Sequence, residues 1–292
     1  MSKYAFWPGC VARGAAPELY TSTLAVAEHL GMDLVELEAA ACTGAGIISD
    51  GEPYLQDVLN ARTMAMSEQM DLPLMDICST CVGVHRLAAE KLRDVDYRIR
   101  INHHLAPEGI EYRGSADPRH LLWILLEDVG IDKINSMIKR PLEELNLGPF
   151  YGCYIVRPER TLDFDAHPTR RDSLEQLIDI LGATTVTYDG MTKCCGFPIL
   201  TTNKKNSLTM AGSHLDEAQS KGADALVTPC PLCHLNLDAQ QPDAAKVIDR
   251  SLNLPILHVP QLMGLAMGID PEKLGLTRHV VDTRNLLNKL GV

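Results

Sequence analysis

The sequence predicts an α/β protein built from two similar units, each a parallel sheet with helices on its faces. Three observations carry this. Strand-like and helix-like stretches alternate along the chain, which is the pattern of parallel sheets with crossover helices. The cysteines repeat in the same order at similar gaps, C-x31-C-x35-C-x2-C from Cys10 and C-x40-C-C-x34-C-x2-C from Cys153. Each cysteine group also falls at or just beyond the end of a predicted strand, the edge at which open α/β sheets bind ligands.

In the first unit, Pro17 is placed as a first helical residue, Leu19, Thr23, Val26 and Leu30 recur at helical spacing, and Gly31 closes the helix. Leu34 to Leu37 is a strand leading to Cys42. Pro53 opens a helix with Leu55, Leu59, Thr63, Met66 and Met70 as its apolar stripe. Leu72 to Ile77 is a strand delivering Cys78, and a helix follows from about Val82 to Arg93. Asn102 to Ser115 reads as a loop that places His103 and His104 in solvent, with a late strand at Ile110 to Tyr112 and a helix from Pro118 to Val129. In the second unit, Leu174, Leu177, Ile178 and Leu181 mark a helix, and Val186 to Tyr188 a strand ahead of Cys194. Leu208, Ala211, Leu215 and Ala218 mark the next helix. Ala225 to Thr228 is the strand before Cys230, and Ile256 to Val259 a strand followed by a helix over Gln261 to Met267. The boundary is expected near Gly148-Pro149, giving units over 1–147 and 148–292.

The chain has 292 residues, 46% of them hydrophobic, enough for one large core or two of ordinary size. A net charge of −11 without a Lys/Arg block argues against nucleic acid as a partner. The N-terminal stretch lacks the apolar core of a signal peptide, and the longest apolar run, Leu121 to Leu126, is far shorter than a membrane span. A cytoplasmic protein without a membrane span is expected. The methionines at helical spacing are read as core filler.

The nine cysteines cannot all pair, and in a cytosolic chain their clustering points to metal rather than disulfides. Cys194 and Cys195 are adjacent, too close for an ordinary disulfide but suited to gripping neighbouring irons, with Gly196 letting the backbone pass close to a cluster. Five thiolates stand in the second half: Cys153, Cys194, Cys195, Cys230 and Cys233. That is one more than a tetrahedral zinc site takes and favours an iron–sulfur cluster. The first half offers four, Cys10, Cys42, Cys78 and Cys81, which suit zinc as well as a [4Fe-4S] cluster. Lys193, His234, Arg13 and Arg157 flank these cysteines. They are candidates to neutralise an anionic substrate or to protonate a leaving thiolate, and equally plausible as solvated or charge-balancing neighbours.

The tandem-cysteine pattern resembles the cysteine-rich CCG domain, and two copies in one chain resemble the B subunit of heterodisulfide reductase and its paralogues in sulfur oxidisers. The resemblance implies two facing [4Fe-4S] clusters, the second-half one non-cubane on five cysteines, and a disulfide or sulfane-sulfur substrate handled between them. By position beside the cysteines, Cys194 and Cys195 with Lys193 and His234 are the candidate catalytic group, and Arg13, Arg157 and Gly196 the candidate substrate contacts. The resemblance further implies a flavin-containing A subunit and a ferredoxin-like C subunit as partners. The sequence departs from the pattern at Ala41-Cys42-Thr43-Gly44, where a non-ligating alanine replaces the first cysteine of a pair. The first-half centre is therefore a four-cysteine cluster, a cluster with a ligand from elsewhere, or zinc. The competing function is an electron-relay subunit of a hydroxy-acid or succinate dehydrogenase complex.

Overall fold

The computed structural model describes residues 2–292, apart from the side chain of Ile47; Met1 lies outside them. Its strands form two sheets of four, all parallel. The first holds β1 (Lys3–Trp7), β2 (Asp33–Glu36), β3 (Leu74–Asp76) and β4 (Pro118–His120) in the order β2-β1-β3-β4. The second holds β5 (Asn146–Pro149), β6 (Thr184–Thr185), β7 (Ala225–Thr228) and β8 (Ile256–His258) in the order β6-β5-β7-β8. The chain turns one way from the first strand of each sheet to the second, then the other way to the third. This makes that first strand a topological switch point, where a crevice opens beyond the carboxyl ends of the strands.

Most elements follow their local signals. The helix Pro17–Leu30 starts at its proline and ends at Gly31, whose φ of 71° only glycine adopts readily. Leu208, Ala211, Leu215 and Ala218 are buried along the helix Lys204–Ser220, and Ala225–Thr228 is buried throughout as β7.

Five expectations are corrected. The fourth strand of the first sheet is Pro118–His120, not Ile110 to Tyr112. Pro118 opens that strand at the sheet edge, where a missing N–H costs no ladder bond. The helix expected over Pro118 to Val129 therefore begins only at Leu121. The loop expected from Asn102 is helical as far as Leu105, within the helix Val95–Leu105, which still leaves His103 and His104 exposed. The second strand of the second sheet is Thr184–Thr185, just ahead of Val186 to Tyr188. Finally, the helix Pro53–Gln69 buries only part of the expected stripe, Thr63 fully and Met66 in part. Leu55 and Met70 are exposed, while Gln56, Asp57, Asn60, Ala61 and Met64 face inward. That polar face is partly satisfied: Asn60 donates to the carbonyls of Thr43 and Gln56, and Asp57 accepts from Lys91 and Tyr97, while Asn60 Oδ1 has no partner among the described residues.

The two units pack crosswise. The first long helix of the first half, Pro17–Leu30, lies against Val259–Ala266 of the second, and Ser173–Ile180 of the second lies against Leu121–Ile124 of the first. One apolar cluster accordingly contains Phe6 and Trp123 together with Leu177 and Leu262.

Candidate metal centres and the cleft between them

Each half presents its cysteines from three strand ends. Cys10 follows β1, Cys42 follows β2, and Cys78 and Cys81 follow β3; Cys153, Cys194 with Cys195, and Cys230 with Cys233 follow β5, β6 and β7 in the same way. The C-x-x-C pairs are built alike. Cys78 caps the helix Ser79–Lys91 at φ −132° and ψ 120°, and Cys230 caps Pro231–Leu237 at φ −130° and ψ 118°. An extended residue followed at once by helix puts the two sulfurs of each pair on the first turn, facing the same point.

In the first half, the sulfurs of Cys10 and Cys42 lie 3.4 Å apart, and the Gly44 N–H points at Cys42 Sγ from 3.5 Å. The hydrogen bond from Cys10 and that backbone N–H hold the Cys42 thiol down at about 6, and the same bond pushes Cys10 up. These four cysteines, with Thr43, Thr80 and Leu232, wall a cavity of about 140 Å³. No sulfur donor occupies position 41.

In the second half, the N–H groups of Gly196 and Phe197 point at the sulfurs of Cys194 and Cys195 from 3.4 and 3.5 Å. Hydrogen bonds from Cys153 and Cys195 draw the Cys194 thiol far below its usual range. Gly196, at φ 91°, is also required by packing. A Cβ there would stand 2.7 Å from the Ser207 carbonyl oxygen, so the residue answers to the helix Lys204–Ser220. All five cysteines line one cavity of about 310 Å³. Its remaining wall is largely apolar (Tyr154, Phe197, Leu200 and Leu232), and Asp50 is the one charged residue on it among the described residues.

The two centres adjoin. Thr80 and Leu232 wall both cavities, and Thr80 Oγ1 is 3.5 Å from Cys230 Sγ. Across the junction, the thiols of Cys230 and Cys81 raise that of Cys78, and those of Cys233 and then Cys78 lower that of Cys230. The backbone N–H and hydroxyl of Ser79, with His120 Nε2, converge on the Pro229 carbonyl at 3.2, 3.1 and 2.9 Å. The strand ends of the two halves thus face a shared cleft.

The flanking residues singled out by sequence lie elsewhere. Arg13 is bonded to Glu36 and stacks over Trp7. The Arg157 guanidinium donates to the Thr192 carbonyl, and Lys193 is exposed. His234 is 3% exposed and turns inward, against His258 and His279. None of these four walls either cavity. Thr80, Asp50 and Tyr154 do, and sequence reasoning missed them. For Thr80 the signal was its place inside C-x-x-C; for Asp50 and Tyr154 no spacing pointed to the cleft.

Sulfur donors converging in this number, with backbone N–H groups aimed at the sulfurs, suit iron–sulfur binding. Cys153, Cys194, Cys195, Cys230 and Cys233 would hold the second-half group, and Cys10, Cys42, Cys78 and Cys81 the first.

Comparison with known proteins agrees with this geometry. The CCG cysteine-rich domain matches twice, over residues 4–84 and 148–238. The 8-methylmenaquinol:fumarate reductase membrane anchor subunit of Wolinella succinogenes is 37% identical, with 97% of this chain and 99% of that protein aligned. The B subunit of the ferredoxin/F(420)H(2)-dependent CoB-CoM heterodisulfide reductase of Methanosarcina acetivorans is 29% identical over 99% and 97%. A protein of Archaeoglobus profundus, named as similar to the B subunit of heterodisulfide reductase, is 29% identical over 94% and 93%. Among solved structures, a hypothetical protein from Helicobacter pylori superposes with a TM-score of 0.77 at 15% identity, over 96% of this chain and 52% of that one. The chain spans about half the length of that structure, which shares its fold. The relatives are subunits of oxidoreductases, and the chain belongs to the CCG cysteine-rich domain family, carrying the domain twice.

Proposed function

We propose that the chain is the iron–sulfur subunit of a multi-subunit oxidoreductase and that its second-half cavity receives an uncharged, partly apolar redox partner of the hydroquinone type. The cavity wall carries the reading. Among the described residues it offers Tyr154, Phe197, Leu200 and Leu232 and no cation, while Arg13, Arg157 and Lys193 stand outside. An anionic coenzyme disulfide would enter without a counter-charge and would meet Asp50. The fumarate reductase relative supports the same reading. A [4Fe-4S] group in each half would supply single-electron transfer. The chain's own residues fix the sulfurs, exclude water with an apolar wall, and keep the two centres adjoining through Thr80. No helix among the described residues is long and apolar enough to cross a membrane.

A second reading is favoured by the tandem Cys194-Cys195 pair on the cavity wall and by the heterodisulfide reductase relatives. In it the partner is a small disulfide, and the chain works with a flavin-containing A subunit and a ferredoxin-like C subunit. Stopped-flow mixing of anaerobically reduced protein separates the two. A short-chain naphthoquinone is expected to oxidise it at least tenfold faster than an anionic mixed disulfide, with Cys195→Ala abolishing the fast phase. Preference for the anionic disulfide would overturn the first reading in favour of the second.

A further inference from the structure

Behind Cys233, away from the cleft, lies a second group of ligating side chains that the redox reading does not use. His234 follows Cys233 on the helix Pro231–Leu237, His258 ends β8, His279 lies near the C-terminus, and Glu18 comes from the first turn of Pro17–Leu30 in the other half. Glu18, His234 and His258 are 5%, 3% and 1% exposed. One ligand atom from each lies within 4.8 Å of the other two. Nε2 of His258 stands 3.6 Å from Glu18 Oε1, too far for a good hydrogen bond and near the ~3.3 Å edge that ligands at about 2.0–2.1 Å from a tetrahedral ion would make.

The nitrogens are short of partners. Both ring nitrogens of His258 and Nδ1 of His234 are buried without a hydrogen bond among the described residues. Buried polar groups are seldom left so, and three in one cluster beside a buried carboxylate call for an occupant. His279 sits at the edge, its Nδ1 3.4 Å from His234 Nε2 and its Nε2 2.9 Å from the Gln261 amide, and so holds the His234 ring. Asp238 is also near but already accepts the N–H groups of Val280 and Val281.

We propose that Glu18, His234 and His258 hold a divalent transition-metal ion of the zinc class, separate from the cysteine sites. Two imidazoles and a carboxylate are a borderline donor set suited to such an ion, with solvent left for a fourth position. The rings of His234 and His258 are stacked, centroids 4.0 Å apart at 23°. Imidazole binds a metal in its plane, so loading turns His258 out of the stack towards Glu18. The bound ion ties the first half to the helix carrying Cys233. This inference does not depend on the redox reading.

The test uses the full chain with its iron–sulfur content restored, treated with chelator and then given zinc. Elemental analysis is expected to find one zinc per chain besides the iron, with zinc X-ray absorption showing nitrogen and oxygen neighbours at about 2.0–2.1 Å and no sulfur shell at about 2.3 Å. Glu18→Gln and His258→Asn should each lower zinc affinity at least tenfold while iron and sulfide content stay at the parent level, which also reports folding. Absence of tightly bound zinc, a sulfur shell around it, or parent affinity in both variants would overturn the proposal.

Discussion

At the scale of single residues, neighbours decide what a side chain can do. His120 is fully buried with Nε2 on the Pro229 carbonyl, and burial pulls its pKa down to about 4. An unfolded histidine titrates near 6.5, so between about 4 and 6.5 the unfolded chain binds the extra proton and stability falls as pH falls. His120 should cost the parent protein about 2 kcal/mol between pH 7 and pH 5. His120→Gln should flatten that part of the slope in denaturant titrations; an unchanged slope would remove His120 from the account. Thr80 offers a second test, through its contact with Cys230 Sγ. A hydrogen bond to a cluster sulfur favours the reduced, more negative state. Thr80→Val should therefore lower the second-half potential by roughly 30 mV, the one-electron equivalent of about 0.7 kcal/mol, read by redox titration of its EPR signal. The grouping of Glu18 and His258 with His234 was the feature least legible in the sequence, which marked His234 only as the neighbour of Cys233. The three lie far apart along the chain, and no local period joins them.

Among the elements, legibility followed how local the cause was. The helix Pro17–Leu30 carries its start and stop in its own residues, and the C-x-x-C pairs mark strand-to-helix turns by spacing alone. The grouping of the cysteines at strand ends could thus be read directly. The edge strand Pro118–His120 could not, because its proline and arginine look like loop. Pairing with a distant strand makes it one, Asp76 opposite His120 along the ladder, and Glu127 and Asp128 nearby hold Arg119. Meanwhile Ile110 to Tyr112, strand-like by composition, precedes a turn clamped by the Glu68 carboxylate, which accepts N–H groups from Arg113, Ser115 and Ala116. The cysteine loops differ between halves, and this too can be tested. Cys195→Ala should alter the iron content and EPR spectrum of the second-half centre and leave the first-half signals in place. Ala41→Cys should do the converse, changing the first-half spectrum alone. Unchanged spectra in both variants would mean that the tandem position is not a ligand in either half.

Across the whole molecule, the halves depend on each other. Ser79 and His120 reach across to the Pro229 carbonyl, just ahead of Cys230, and the apolar core runs through both units. Residues 1–147 or 148–292 produced alone should each fail to give a stable monomer. Co-expression of the two pieces should recover a complex with parent iron content, checked by size-exclusion chromatography and iron analysis. A monomeric, iron-loaded half would refute this. The crosswise packing of Pro17–Leu30 on Val259–Ala266 and of Ser173–Ile180 on Leu121–Ile124 has a further consequence. A lone repeat with such a surface amounts to one member of a two-fold dimer, in which every substitution falls on both sites together. Joining the repeats in one chain breaks that bond between the copies. Position 41 can then become alanine while Cys194 stays, and one ancestral fold can hold two centres of unlike chemistry a single side chain apart.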